Sequence, residues 1–215
     1  MFSDDYLLRI IRQATAVFAS IIGLKCAGQY QEALKVINQT LEQLLGLDAE
    51  MISLLDDESL YLLLMKNEVL DVEKLGFIAD LFKEEGDIKK LQNHIDESIN
   101  CYIRSLTYYL IISINSETSR PIELPQKIDE LLQQLGTYNY NEQTLLSLYF
   151  YYENAREFAK ADNMLNRLAT QNDSKAYVVD EMKSFYKRLL EKSPKELAAG
   201  GMSRTQIRNK LRELE

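Results

Sequence analysis

Apolar side chains recur at helical spacing along almost the whole chain, and very little interrupts them. Tyr30, Ala33, Ile37, Leu41 and Leu44 form one continuous stripe, the pattern of a helix buried along one face. Val72, Leu75, Ile78 and Phe82 form a second, and Ile88, Leu91, Ile95, Tyr102, Leu106 and Tyr109 a third. Only three prolines (Pro121, Pro125, Pro194) and eight glycines punctuate the sequence. A proline inside a helix costs about 3 kcal/mol, so their scarcity leaves room for long helices. The expected fold class is all-α.

The spacing predicts a first helix from Asp4 to Lys25, with Ser3 as N-cap and "AGQ" as the turn after it. Gly46 closes the second helix. Two short helices follow over 48–55 and 57–66, capped by Asp48 and Asp56, and Asp71 starts another that ends at "EEGD" (84–87). A long helix is expected from Ile88 to Ile114; its last stretch, "YYLIISI", is β-branched enough to leave a strand as the alternative. "NSETSRPIELP" is the clearest loop. Helices then fall over 125–135, 141–154, 157–170 and 174–192, with two short ones after Ser193 and Ser203. The expected organisation is a single domain over 1–192, with a candidate subdivision at 115–124, and a basic tail over 193–215.

Net charge is −8, unevenly spread. From Lys183 to Arg212 nine Lys/Arg face only Glu191 and Glu196, a local +7 that leaves −15 for the rest. An acidic body disfavours non-specific nucleic-acid binding, and the basic end suits an acidic surface, its own included. Cys26 and Cys101, without a CxxC pair, read as reduced thiols rather than a disulfide framework. "ATAVFASIIGL" followed by "KC" imitates an exported leader. Asp4 and Asp5 sit where a leader is basic, however, and Lys25 precedes the cysteine where a small residue belongs. No apolar run reaches the roughly 18–20 residues of a membrane span. The expectation is a soluble, cytoplasmic protein.

Gly28, Tyr30 and Ala33 in "AGQYQEAL" resemble the turn of a tetratricopeptide repeat, where glycine, an aromatic two residues on and an alanine three further let two helices nest. "EEGDIKKL" resembles a weaker copy through Gly86, Ile88 and Leu91. "NAREFAKADNML" is a third, with Arg156 in the glycine position and Phe158, Ala161 and Leu165 following. On this reading the turns stand 58 and 70 residues apart (28 to 86, 86 to 156), against about 34 in a regular array. The resemblance implies antiparallel helix pairs stacked as a degenerate, right-handed, TPR-like array. The whole chain also resembles an uncharacterised family of bacterial proteins that begin much like "MFSDDYLLRIIRQ" and end like "ELAAGGMSRTQI". That family has no established activity, so the likeness bears on the fold alone.

Catalytic signatures are missing: nothing matches GxSxG, GxxxxGK[ST] or GxGxxG. His94 is the single histidine, and Cys101, seven residues along, stands roughly 10 Å away along a helix, too far for direct nucleophile–base pairing. His94 with Glu97 could lend two metal ligands, but the second histidine of a Glu-x-x-His pair does not exist. The acidic clusters at 56–58 and 84–87 read as caps and solubilising turns. No catalytic residue, cofactor or metal is expected.

Two features point to binding. Thirteen tyrosines accompany no tryptophan. Tyr138, Tyr140, Tyr149 and Tyr151 are the candidate partner contacts in a groove, with a packed core as the competing reading. The tail's "ELAAGGMSRTQIRNKLREL" resembles a helix-turn-helix, with Arg204, Arg208, Lys210 and Arg212 as its basic contacts. It reads equally as a capping box, Ser203 to Gln206, opening a short amphipathic helix that docks on the acidic body or on another subunit. The function expected is therefore a non-enzymatic interaction module for a protein or peptide, with self-association open and a nucleic-acid-associated regulator as the alternative.

Overall fold

The computed structural model describes residues 4–66, 69–115, 123–171 and 176–214. Among these are twelve helices and one two-stranded hairpin, so the chain is all-α. They form two compact units, 1–137 and 138–215. The break falls one helix later than the 115–124 segment, of which 116–122 lie outside the described residues, as does the Ser3 cap. The tail, expected as an appendage, belongs to the second unit.

The first unit contains α1 (Asp4–Cys26), α2 (Tyr30–Leu45), α3 (Ala49–Leu54), α4 (Asp57–Leu64), α5 (Val72–Leu91), α6 (Ile95–Asn115) and α7 (Leu124–Leu135). Asp48, Asp56 and Asp71 cap α3, α4 and α5 by accepting from the backbone N–H groups of Met51, Ser59 and Lys74. Gly46 closes α2 in the left-handed conformation. The unforeseen hairpin β1 (Met65–Lys66) and β2 (Val69–Leu70) joins α4 to α5, pairing Met65 with Leu70. "YYLIISI" is helical throughout: Tyr108, Leu110 and Ile112 are buried in α6, so packing overrides strand propensity.

Side-chain pairs fix the helix directions. Going up α5, Gly76, Ala79 and Gly86 meet Ile112, Ser105 and Tyr102 of α6, so the two run antiparallel. Tyr6, Phe18 and Lys25 of α1 meet Asp71, Phe77 and Glu84 in turn, so α1 runs parallel to α5. Lys127 and Gln134 of α7 meet Asp80 and Lys90, giving α7 that same direction.

In the second unit, α8 (Glu142–Asn154), α9 (Phe158–Gln171) and α10 (Ala176–Leu190) alternate likewise. Tyr149 and Glu153 of α8 reach Glu181 and Arg188 of α10 in parallel order. Phe158 and Asp162 of α9 face Lys192, just past α10, and Tyr186 in antiparallel order. The tail helices α11 (Pro194–Ala199) and α12 (Arg204–Glu213) open with capping boxes, Ser193 with Glu196 and Ser203 with Gln206.

Three turns share one geometry. Gly28, Asn93 and Arg156 have φ of 71°, 64° and 62°. At each, the left-handed residue's N–H bonds three residues back and the next N–H five back, the Schellman arrangement. That next residue (Gln29, His94, Glu157) also accepts the first bond of the following helix, from Ala33, Ser98 and Ala161. One residue therefore ends one helix and begins the next, and the small residue it bonds is buried each time. Here the expected second copy is corrected. Gly86 lies inside α5, where a Cβ would stand 2.7 Å from the Tyr102 ring, and the turn belongs to Asn93, with Ile95 and Ser98 in the large and small positions. The true spacings, 28 to 93 and 93 to 156, are 65 and 63 residues.

Glycine at 28 answers a backbone need, since nothing lies within 4 Å of its missing Cβ. Gly200 answers a packing need: a Cβ there would fall 2.2 Å from the Phe158 ring and 2.6 Å from the Arg156 carbonyl oxygen. Gly28→Ala is expected to cost about 1 kcal/mol from left-handed strain, and Gly200→Ala about 3 kcal/mol from overpacking. Equal costs in urea unfolding would refute the distinction.

Candidate functional site

The tyrosines answer the question their number raised. In the first unit Tyr6, Tyr102, Tyr108 and Tyr109 donate to Asp71, Asp87, Asp57 and Asp80. In the second, Tyr149 donates to Glu181 at 2.6 Å and Tyr186 to Asp162 at 2.6 Å. Each ring lies against its neighbours while its hydroxyl reaches a carboxylate on another helix, apart from Asp71, which caps α5. Of the expected partner contacts, Tyr140, Tyr149 and Tyr151 are all at most 5% exposed. Tyr149 and Tyr151 are core residues because α8 is covered by both α9 and α10, and Tyr140, just before α8, lies under Arg167 of α9. Only Tyr138 is half-buried; its ring meets Tyr140 edge-on, and Arg167 bonds its carbonyl.

The basic tail is divided in use. Lys210 pairs with the buried Asp162 at 3.0 Å, and Arg204 donates to the Lys192 carbonyl while its Nε lies buried without a partner. Arg208 and Arg212 are exposed. Leu197, Met202 and Ile207 are buried, and the Gly200 carbonyl accepts from Ala159 N–H, so the tail is sewn onto the α8–α9 turn. Of the four cations, Lys210 meets a carboxylate of α9, and Arg204 bonds main chain within the basic segment itself.

A concave site that sequence reasoning missed lies in the first unit, a cleft of about 260 Å³ between α2, α3, α5 and α6. Helical spacing aims its walls. Phe82, Glu85 and Lys89 share one face of α5, and Glu97, Cys101 and Arg104 one face of α6; α2 adds Asn38 and Leu41. The floor is apolar: Leu41, Ile52 and Phe82 are buried. Arg104 lies over the Phe82 ring at 4.2 Å, faces Asp57 at 3.4 Å and donates to the Tyr108 hydroxyl at 3.0 Å. Lys89 bridges Glu97 at 2.6 Å and Glu85 at 3.3 Å. Burial would lower the Lys89 pKa, but those carboxylates outweigh it and raise it; the Lys89 bond holds Glu97 low in turn. Burial, then the charge of Glu85, pushes the Cys101 thiol up to about 12, so it stays protonated and unreactive. A second cleft of about 280 Å³, beside Phe18 and Ile22, is lined by ion-paired side chains, Lys127 and Asp80 among them.

Among the described residues no group of three or more His, Cys, Asp or Glu could hold a metal ion, and no helix is long and apolar enough to cross a membrane. His94 lies exposed in the turn before α6, 3.8 Å from Glu97. The acidic cluster at 84–87 is no turn: it lies inside α5, where Glu84 pairs with Lys25 of α1 and Asp87 with Lys83.

A family model matches residues 1–215 from end to end. The chain belongs to a family of unknown function (DUF6483). No curated protein and no solved structure matches it.

Two measurements test the electrostatics. Burial and the facing carboxylate raise the pKa of Tyr102, Tyr109, Tyr149 and Tyr186. A raised folded pKa gives stability that is complete below the ordinary tyrosine value of about 10 and lost as pH climbs towards the folded values. Tyrosinate absorbance should therefore rise together with loss of the helical circular-dichroism signal; a full titration with helices intact would contradict it. Iodoacetamide at neutral pH should modify exposed Cys26 and spare Cys101 until the protein is denatured; equal labelling would refute the inert thiol.

Proposed function

We propose that the protein is a non-enzymatic interaction module, a degenerate TPR-like stack of helix hairpins that holds a protein or peptide segment in the cleft between α2, α3, α5 and α6. The observation that carries this reading is the chemistry of the cleft. It is concave with an apolar floor, its thiol is held protonated, Lys89 is shared by Glu85 and Glu97, and Arg104 is paired with Asp57. Such a surface suits recognition better than proton or group transfer, which needs a poised acid, base or nucleophile. Alternating helix directions and three turns of one geometry support the TPR-like comparison, since stacked hairpins leave clefts where successive pairs meet. At about 260 Å³ the cleft sits just under the roughly 300–1,000 Å³ of small-molecule sites, the scale of a short piece of a larger partner.

A photo-crosslinking residue at exposed Glu97, on the rim, should capture one discrete protein from an extract of the native cell. Asn100→Trp, which fills the cleft from an exposed position, should abolish the capture without changing the melting temperature. Capture that survives the filled cleft, or none at all, would overturn the assignment.

A further inference from the structure

The chain's negative charge belongs to one of its two units. Residues 138–215 carry thirteen Lys/Arg and eleven Asp/Glu, so the net −8 is −10 in the first unit and +2 in the second. The local +7 over 183–212 lies on α10, α11 and α12 and the turns between them. Arg204 bonds the Lys192 carbonyl, and Lys210 meets Asp162, which also takes the Tyr186 hydroxyl. Climbing α12 therefore descends α10. Lys210 and Tyr186 mark the flank of this antiparallel pair that faces α9. By helical phase Arg208 and Arg212 lie on the opposite flank of α12, and Lys183 and Lys187 on that of α10.

These four cations stand one turn apart on each helix, and none has an ion pair among the described residues. A solvated helix face usually interleaves its signs, since like charges four residues apart repel. The first unit does so, Lys25, Lys83, Lys89 and Lys127 each meeting a carboxylate. Here two repelling pairs lie on adjacent helices, with Asp180 and Glu191 only at the ends of the α10 pair. On α12, Thr205, Arg208, Asn209 and Arg212 follow i, i+3, i+4 and i+7 spacing and form an exposed outer ridge. It contains no acid and no apolar anchor. The inner face is fixed: Ile207 is fully buried, Lys210 and Arg204 are bonded, and Gly200 in the preceding turn packs on Phe158. The ridge is presented on a rigid helix.

We propose that this surface binds double-stranded DNA. Lys183 and Lys187 contact the phosphate backbone, and the α12 ridge enters the major groove, which is wide enough for an α-helix. Charge complementarity selects a polyanion, and the rest of the surface selects which one. A protein partner is held by apolar or aromatic anchors at the centre of its interface, and the ridge offers none. Phosphates need only cations and hydrogen-bond donors, while arginine, asparagine and threonine are side chains that pair with base edges. An RNA duplex fits less well, its major groove being too narrow for side chains to read. α11, the turn over 200–203 and α12 follow one another in the order of a helix-turn-helix. The site lies wholly in the second unit and stands whether or not the cleft of the first holds a peptide.

The test uses the full-length protein and a fluorescent DNA duplex of random sequence, about 20 base pairs or two helical turns long. Anisotropy should show binding at low salt. With about four phosphates neutralised, affinity should fall about a hundredfold between about 50 and 200 mM salt. Arg208→Gln/Arg212→Gln and Lys183→Gln/Lys187→Gln should each weaken binding and flatten the salt dependence by about two contacts. Neither should lower the melting temperature, because each relieves a like-charge pair. Arg12→Gln/Lys35→Gln, an equal charge change at exposed positions of the first unit, should leave binding intact. Absence of binding at low salt, or binding untouched by both surface variants, would overturn the proposal. So would an RNA duplex bound as tightly as DNA, or polyglutamate that competes as well as DNA at equal charge.

Discussion

A tyrosine hydroxyl donating to a carboxylate on a neighbouring helix is the contact on which both units depend. It occurs from α6 to α4 and α5 in the first unit, and from α8 and α10 to α10 and α9 in the second. The ring supplies hydrophobic burial, Tyr102, Tyr108, Tyr149 and Tyr186 being almost wholly enclosed. The hydroxyl supplies direction, because a phenol enclosed with its ring needs an acceptor at one place, and a part-buried carboxylate on the next helix supplies it. Oily side chains alone would let helices slide by a turn; a phenol at the end of its ring pins each to one register. Tryptophan could fill the same volume and donate as well, but tyrosine reaches further from the helix axis with its donor at the tip.

The carboxylates are themselves tied. Asp80 takes Tyr109 and Lys127, Asp87 takes Tyr102, Lys83 and Lys25, and Glu181 takes Tyr149 and Arg188. A network of this kind stabilises mainly through completeness: removing one member leaves its part-buried partners short of a donor or an acceptor. It also explains why an acidic body folds readily, since many of its negative charges are partners in the packing rather than a repelling shell.

Helical periodicity made the class, most helix positions and three aspartate caps legible, because those signals are local and each carries its own hydrogen bond. The second hairpin turn was misplaced for an equally physical reason. Glycine is the usual left-handed residue, so Gly86 drew the turn to itself, yet it is small because Tyr102 lies against it. Asparagine, the next most tolerant residue, makes the turn at 93. The pattern left-handed, large at +2, small at +5 was present in Asn93, Ile95 and Ser98, and nothing but the habit of looking for glycine concealed it. Arg156 in the third turn shows that the hydrogen-bond frame, not the residue, defines the motif.

The candidate site was far less legible, because no short stretch of sequence contains it. Asn38, Leu41, Ile52, Phe82, Lys89 and Asn100 come from four helices and each is ordinary alone. The tyrosine-rich segment drew attention instead through density, and density proved to mean burial, as it does when a helix is apolar on nearly every side. The cleft is a property of the completed packing: its walls become one surface only once α2, α3, α5 and α6 are held in register and the tyrosines, lysines and arginines have met their carboxylates.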